Sequence, residues 1–310
     1  MPNLRSLDMT SVKLSDEFFS TMLSEASRLV IEKLTHKNAY LGSAASSHYA
    51  IGLCSVPNLR SLYLDNVGLS DEYYSTMADE ASKSKIQTLS MEDFSITACR
   101  LHSIISLPRL QSLSLRNIRP VDMDDGEKLT HQITSVDELS VDGKHVTSLW
   151  NLGLHTSCPR VQNLQLDWSA NENVSSNIVT MACSPFHHLT HLHIQGDSLD
   201  TSSTALKDTV SFCKAVIASC PGLTKLSITR IDLYTKKTVE IIQLMKTHPN
   251  LTSIELDWCC TNTALDPLIS EVNSEGKLTI TVKHGGVRYI LHAHHSIDSS
   301  PSFWHSIDSK

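Results

Sequence analysis

The stretch PNLRSLDMTSVKLSDEFFSTMLSEAS, from Pro2 to Ser27, comes back as PNLRSLYLDNVGLSDEYYSTMADEAS from Pro57 to Ser82, 55 residues on. Each copy holds a strand-like LxxLxL and then a helix-like stretch, and neither can bury its apolar side without stacking on a further copy. A weaker copy lies between them: Ile31 and Leu34 keep the first two apolar slots and His36 stands in the third, so the true period is about half of 55 residues. The same slots return as Leu4/Leu7/Met9, Ile31/Leu34/His36, Leu59/Leu62/Leu64, Ile86/Leu89/Met91, Leu110/Leu113/Leu115, Val136/Leu139/Val141, Val161/Leu164/Leu166, Leu189/Leu192/Ile194, Leu223/Leu226/Ile228 and Leu251/Ile254/Leu256. An eleventh, Lys277/Ile280/Val282, keeps two apolar members, as suits a terminal strand.

The last two slots of each triplet lie two residues apart and so point to one face of a strand, while the residues between them point to the other. A helix signal follows each strand. Ser15 reads as a cap with Asp16 and Glu17 in the first turn and Phe19 and Met22 inward; Ser70, Asp71, Glu72, Tyr74 and Met77 repeat it. Pro57, Pro108, Pro159, Pro221 and Pro249 each stand two residues before a first slot, where a residue that cannot continue a helix returns the chain to the sheet.

Strand, turn, helix and turn at this period resemble the leucine-rich repeat family, over nearly the whole chain from Leu4 to Val282. The resemblance implies an α/β fold: a horseshoe-like solenoid of about ten to eleven repeats with a parallel β-sheet on its concave side and helices on its convex side. One departure stands out. Where the family usually has Asn or Cys three residues after the third slot, this chain has Val12, Val67, Phe94, Ile118 and Ile231, with Cys259 the main exception, which puts the usual polar ladder in question. Residues 1–283 are read as one solenoid domain. From about His284 the pattern fades into a Ser- and His-rich tail, 284–310, with HSIDS at His295–Ser299 repeated at His305–Ser309; this tail is expected to be poorly ordered.

A chain of 310 residues with 40% hydrophobic content can bury an extended core, and no Pro/Gly/Ser linker divides it. A formal charge of -7 argues against a partner rich in phosphate, because nucleic-acid affinity rests on clustered Lys and Arg. No apolar run approaches the roughly 20 residues that span a bilayer, and no charged-then-apolar leader follows Met1, so neither nucleic acid nor membrane is expected as a partner. The eight cysteines show no CxxC and no capping cluster; they read as reduced thiols, which points to a cytoplasmic setting, against two weak sequons at Asn173 and Asn250. Because a repeat opens the chain with no capping segment, an upstream domain is expected.

A phosphate-cradling Gly-rich loop, a GxSxG elbow and an HExxH helix are absent, so the chain is read as non-enzymatic and without a cofactor. His191 and His193 lie two apart on one strand face, but no further ligands at a convincing spacing join them, and no metal site is assigned; the HAHH of the tail is equally non-specific. Asp167-Trp168 and Asp257-Trp258 fall at matching places after the third slot of their repeats, and aromatic rings beside charges are frequent anchors of binding surfaces. The candidate ligand-binding patch on the concave face therefore comprises Asp167, Trp168, His191, His193, Lys225, Arg230, Asp257 and Trp258, with Arg230 expected to stack on Trp258. Earlier strands offer small polar groups, Ser6, Ser61, Ser90, Ser112 and Ser114, with Tyr63 and Arg116 the exceptions.

Two repeat types alternating over about 55 residues, with PNLRSL strands and LSDE helix starts, look like the C-terminal region of intracellular nucleotide-binding, leucine-rich repeat (NOD-like) immune receptors. That resemblance implies a protein ligand on the concave face, autoinhibition, and an upstream nucleotide-binding domain. The alternative is the substrate-binding repeat region of an F-box ubiquitin-ligase adaptor, whose cysteine-containing repeats SCPRVQNLQL at Ser157–Leu166 and SCPGLTKLSI at Ser219–Ile228 resemble.

Overall fold

Because LxxLxL recurs at matching places in successive repeats, the lowest-energy pairing puts like slots side by side, and the computed structural model shows this pairing throughout. It describes residues 4–11, 18, 21, 24–25, 28–121, 134–169, 172–196, 206–231, 233, 235–257, 278–284 and 287–291. The chain forms two compact units, Met1–Val161 and Gln162–Lys310.

In the first unit, strands β1 (Ser6–Thr10), β2 (Lys33–Tyr40), β3 (Ser61–Gly68), β4 (Thr88–Glu92), β6 (Ser112–Arg116) and β8 (Glu138–Asp142) pair in that order, all parallel. The short strands β5 (Ser95–Ile96) and β7 (Arg119–Pro120) pair separately. The register aligns Leu7, Leu34, Leu62, Leu89, Leu113 and Leu139 in one column and Met9, His36, Leu64, Met91, Leu115 and Val141 in the next. In the second unit, β9 (Asn163–Trp168), β10 (His191–Gly196), β11 (Lys225–Thr229), β12 (Ser253–Asp257) and β13 (Thr279–His284) are parallel, and β14 (Val287–Leu291) closes the series antiparallel to β13. Each unit is thus an open α/β repeat array of the leucine-rich repeat type. The sheet runs past 283, into the stretch read from sequence as tail: Val287–Leu291 pairs with the preceding strand. Residues 292–310, Val12, Ser15–Glu17, Phe19, Met22, Trp258–Cys260 and Lys277 lie outside the described residues.

Helices return the chain on the buried side. Asp71–Asp79 starts after Ser70, carries Asp71 and Glu72 in its first turn, and buries Tyr73, Tyr74 and Met77, so one more ring than expected faces the core. Helix Ser43–Ser55 ends before a turn in which the Leu59 N–H donates to the Val56 carbonyl at 3.4 Å. The same turn recurs from Leu110 to Leu107, Val161 to Cys158 and Leu223 to Cys220, at 3.2, 3.4 and 3.0 Å. In all four, proline takes the second position, where its fixed φ fits and no donor is lost. No described helix is long and apolar enough to cross a membrane.

The departure from the family pattern has a physical resolution. Val67, Phe94, Ile118 and Ile231, three after the third slot, are buried. The polar ladder sits one residue earlier, at Ser11, Asn38, Asn66, Asp93, Asn117 and Arg230, all with φ between 46° and 61°. This left-handed turn aims the N–H across to the next repeat: Ser11, Asp93 and Arg230 donate to the carbonyls of Lys37, Arg116 and Asp257 at 2.9, 3.2 and 3.2 Å. Side chains add a second link where Asn66 Nδ2 donates to Asn38 Oδ1 at 3.0 Å and Asn117 Nδ2 donates to Asp93 Oδ1. Asn and Asp tolerate this conformation best among residues with a Cβ.

Two outcomes follow. Leu113→Ala removes a side chain only 1% exposed and is expected to lower stability by about 2–5 kcal/mol in urea unfolding; parent-like stability would show that the register is wrong. Asn66→Val forces a β-branched residue into the left-handed region at a cost of about 1–3 kcal/mol, whereas Asn66→Gly removes that strain and costs much less; equal losses would place the ladder's value in the amide alone.

Candidate functional site

Strand alternation turns the non-slot residues to the face of the sheet opposite the core. In the second unit the register sorts them into three rows: Asn163, His191, Lys225, Ser253; Gln165, His193, Ser227, Glu255; and Asp167, Gln195, Thr229, Asp257. Strands lie about 4.8 Å apart, so a row of four spans about 14 Å. All twelve are hydrogen-bonding side chains, and all but Ser227 keep part of their surface in solvent.

The face is organised by its own contacts. His193 Nε2 lies 2.8 Å from Thr229 Oγ1, tying β10 to β11, and Lys225 Nζ sits 3.6 Å from Glu255 Oε2, tying β11 to β12. Gln165 Nε2 donates to Asp167 Oδ1 at 2.9 Å. His191 is exposed, with Nδ1 2.9 Å from Thr190 Oγ1; partial desolvation lowers its pKa and the Lys225 ammonium lowers it further. Among the described residues no group of three or more His, Cys, Asp or Glu side chains gathers to hold a metal ion.

Asp167, His191, His193, Lys225 and Asp257 are thus brought onto one face. Trp168 is not. Its side chain is 3% exposed, because it stands two residues after Leu166 and alternation turns it inward with Leu164 and Leu166. Arg230 lies past the end of β11, exposed, at a left-handed position beside the face. Trp258, and with it the expected stack on Arg230, lies outside the described residues. Gln165, Gln195, Thr229 and Glu255 belong to the rows but were missed from the motifs; the signal that finds them is their parity with the slots.

The first unit has its own outer face. Tyr63 is half-buried, with Lys33 Nζ 4.7 Å from its ring centroid, a cation-π contact across β2 and β3. Beside it Lys37 Nζ lies 3.5 Å from Asp65 Oδ2. Arg116 is half-buried and in register with Glu92, whose carboxyl is pushed above its usual range by desolvation and then by Asp65. Short hydroxyl side chains, Ser61, Thr88, Ser90, Ser112, Ser114 and Ser140, fill most of the rest.

Five of the described thiols are buried. Cys54, Cys158, Cys183, Cys213 and Cys220 are free and buried; burial pushes Cys54 and Cys158 up to about 11 and Cys213 up to about 12. Cys183 is raised by its hydrogen bond with Cys220 and then by burial. Raised in this way, Cys54, Cys158, Cys183 and Cys213 are poor nucleophiles near pH 7.

No protein-family model and no curated protein sequence matches the chain. Solved structures give fold likenesses at low identity. A Bacteroides fragilis protein aligns over 86% of this chain and 79% of its own, at TM-score 0.49 and 11% identity. A plant peptide hormone receptor, RGFR1, in complex with RGF2, aligns over 83% of this chain and 40% of its own, at TM-score 0.28 and 11% identity. Rad7, or its partner Elc1, in the yeast Rad7 and Elc1 complex aligns over 84% of this chain and 77% of its own, at TM-score 0.30 and 13% identity. None of these likenesses assigns a function to this chain.

Parity makes a sharp prediction. Trp168→Ala empties a core position and is expected to lower stability by about 3–5 kcal/mol in thermal or urea unfolding, while Asp167→Ala, one residue away on the outer face, leaves it near the parent value. A parent-like melt for Trp168→Ala would return the ring to the surface.

Proposed function

We propose that the chain is a non-enzymatic protein-recognition module that binds its partner on the outer face of its parallel strands. The observation that carries this reading is the set of three polar rows on β9–β12, where side chains of four repeats are held in register at a fixed pitch. A broad face of part-exposed hydrogen-bonding groups, cross-linked by His193–Thr229 and Lys225–Glu255, is pre-organised, and pre-organisation lowers the entropy cost of binding. Protein ligands suit such a surface better than small molecules, which favour enclosed, mostly apolar pockets.

Within this class, the alternating PNLRSL and LSDE repeat style supports the ligand-sensing and autoinhibitory region of a NOD-like immune receptor, acting in the cytoplasm with an upstream nucleotide-binding domain. A second reading, the substrate arm of an F-box adaptor, is favoured by one observation: Cys158 and Cys220 occupy equivalent turn positions, and His248, at the next one, places Nε2 2.9 Å from the Cys220 carbonyl. The reading frame upstream of Met1 separates the two, by a phosphate-binding loop in the first case or short adaptor-binding helices in the second.

The test of the face itself is site-specific photo-crosslinking from Gln195, on the outer rows, and from Lys214, exposed on helix Thr209–Ser219. A partner captured from Gln195 and not from Lys214, whose binding weakens at least tenfold, about 1.4 kcal/mol, on Lys225→Glu, supports the reading. Capture from Lys214 alone, or unchanged affinity on Lys225→Glu, would sink it.

A further inference from the structure

In the third-slot column of the first unit, Met9, Leu64, Met91, Leu115 and Val141 are aliphatic, and His36 is the one ionisable member. It is 0% exposed. Its Nδ1 lies 3.2 Å from the Tyr49 hydroxyl, and its ring meets Tyr49 edge-on, centroids 5.5 Å apart. Tyr49 in turn lies 6.0 Å from Tyr73, and Tyr73 5.3 Å from Tyr74. Nε2 of His36 is buried with no hydrogen-bond partner, and so is the hydroxyl of Tyr73. An aliphatic residue would remove an unmet polar group from the core, so the position is not optimised for stability.

The side chains that meet the ring are uncharged. From β1 and β3 it meets Met9 and Leu64 in register. From helix Ser43–Ser55 it meets Tyr49, and beyond that Tyr73 of helix Asp71–Asp79; the first helix also carries His48 and Cys54, and Cys54 is held protonated by burial and then by the Glu80 carboxylate, which pairs with Lys83 at 2.5 Å. Lys33 and Lys37 of its own strand lie on the opposite face, engaged with Tyr63 and Asp65. No carboxylate among the described residues is positioned to neutralise an imidazolium there.

We propose that His36 is an acid-sensitive latch on the early repeats: the neutral ring packs in the core and bonds Tyr49, and protonation expels it, freeing β2 and helix Ser43–Ser55 from β3. The consequence is a segment that loosens while the rest of the unit stays folded. The sign is set by linkage. Burial lowers the pKa of the folded-state ring below 6.5, its value once released, so the open form binds more protons as the pH falls below 6.5. Between pH 7.5 and pH 5.5 the local opening constant then rises by up to about tenfold. This inference is independent of the partner-binding face of the second unit.

Hydrogen exchange followed by mass spectrometry on the full chain at pH 7.5 and pH 5.5, corrected for intrinsic exchange, tests it. Peptides covering residues 29–56 are expected to lose protection by up to about tenfold at the lower pH, while those covering β6 and β8 do not change. His36→Met installs the side chain that the same slot carries at Met9 and Met91, and is expected to abolish the difference. An unchanged wild-type pattern, a loss spread evenly over the unit, or persistence of the effect in His36→Met would each overturn the latch. Should His36→Met not fold, NMR titration of the wild-type imidazole decides: a folded-state pKa at or above 6.5 refutes the proposal.

Discussion

In-register parallel pairing of like slots is the constraint from which the other features descend. Leu34 must lie beside Leu62, and Leu192 beside Leu226, because a slip of one residue would turn each apolar pair outward and bring polar residues such as Thr35 or His193 into the core. Once register is set, the buried columns, the outer rows and the alignment of the turns are no longer independent choices. A buried leucine is worth about 1.5–3 kcal/mol, so each repeat weighs heavily against a slipped alternative.

That constraint explains what was legible in the sequence. The triplets gave strand positions and the prolines gave the turns, since both are local properties of a few residues. Asp167, His191, His193, Lys225 and Asp257 could be placed on a common face for the same reason. Trp168 was misplaced by giving weight to its chemistry over its parity; two residues past Leu166, it continues the inward series. The polar ladder lies two residues past the slot rather than three, because a left-handed residue there breaks the strand's alternation and lets the next apolar side chain, such as Val67 or Ile118, drop into the core. Propensity alone does not reveal that φ, although Asn38, Asn66 and Asn117 sharing one place is the trace it leaves.

His36 shows where pattern reading is informative through its failure. The slot demands an apolar residue, and the histidine satisfies the packing but leaves one of its two ring nitrogens without a hydrogen bond. The rest of that described column is apolar, so the histidine is a single violation of an otherwise consistent local rule.

The left-handed residues also separate the two sides of each repeat. Chain leaves six of the described strands by this bend and re-enters several through the same hydrogen-bonded turn, while what lies between changes length. From Leu89 to Leu113 the interval is 24 residues, and from Leu192 to Leu226 it is 34, yet both pairs sit opposite each other in register. The outer rows therefore behave as a ruler with a constant pitch of one strand spacing, whose graduations are indifferent to the size of the arms behind them. Insertions and deletions in the arms can accumulate without moving a single outer side chain, and the outer face can change by point substitution alone.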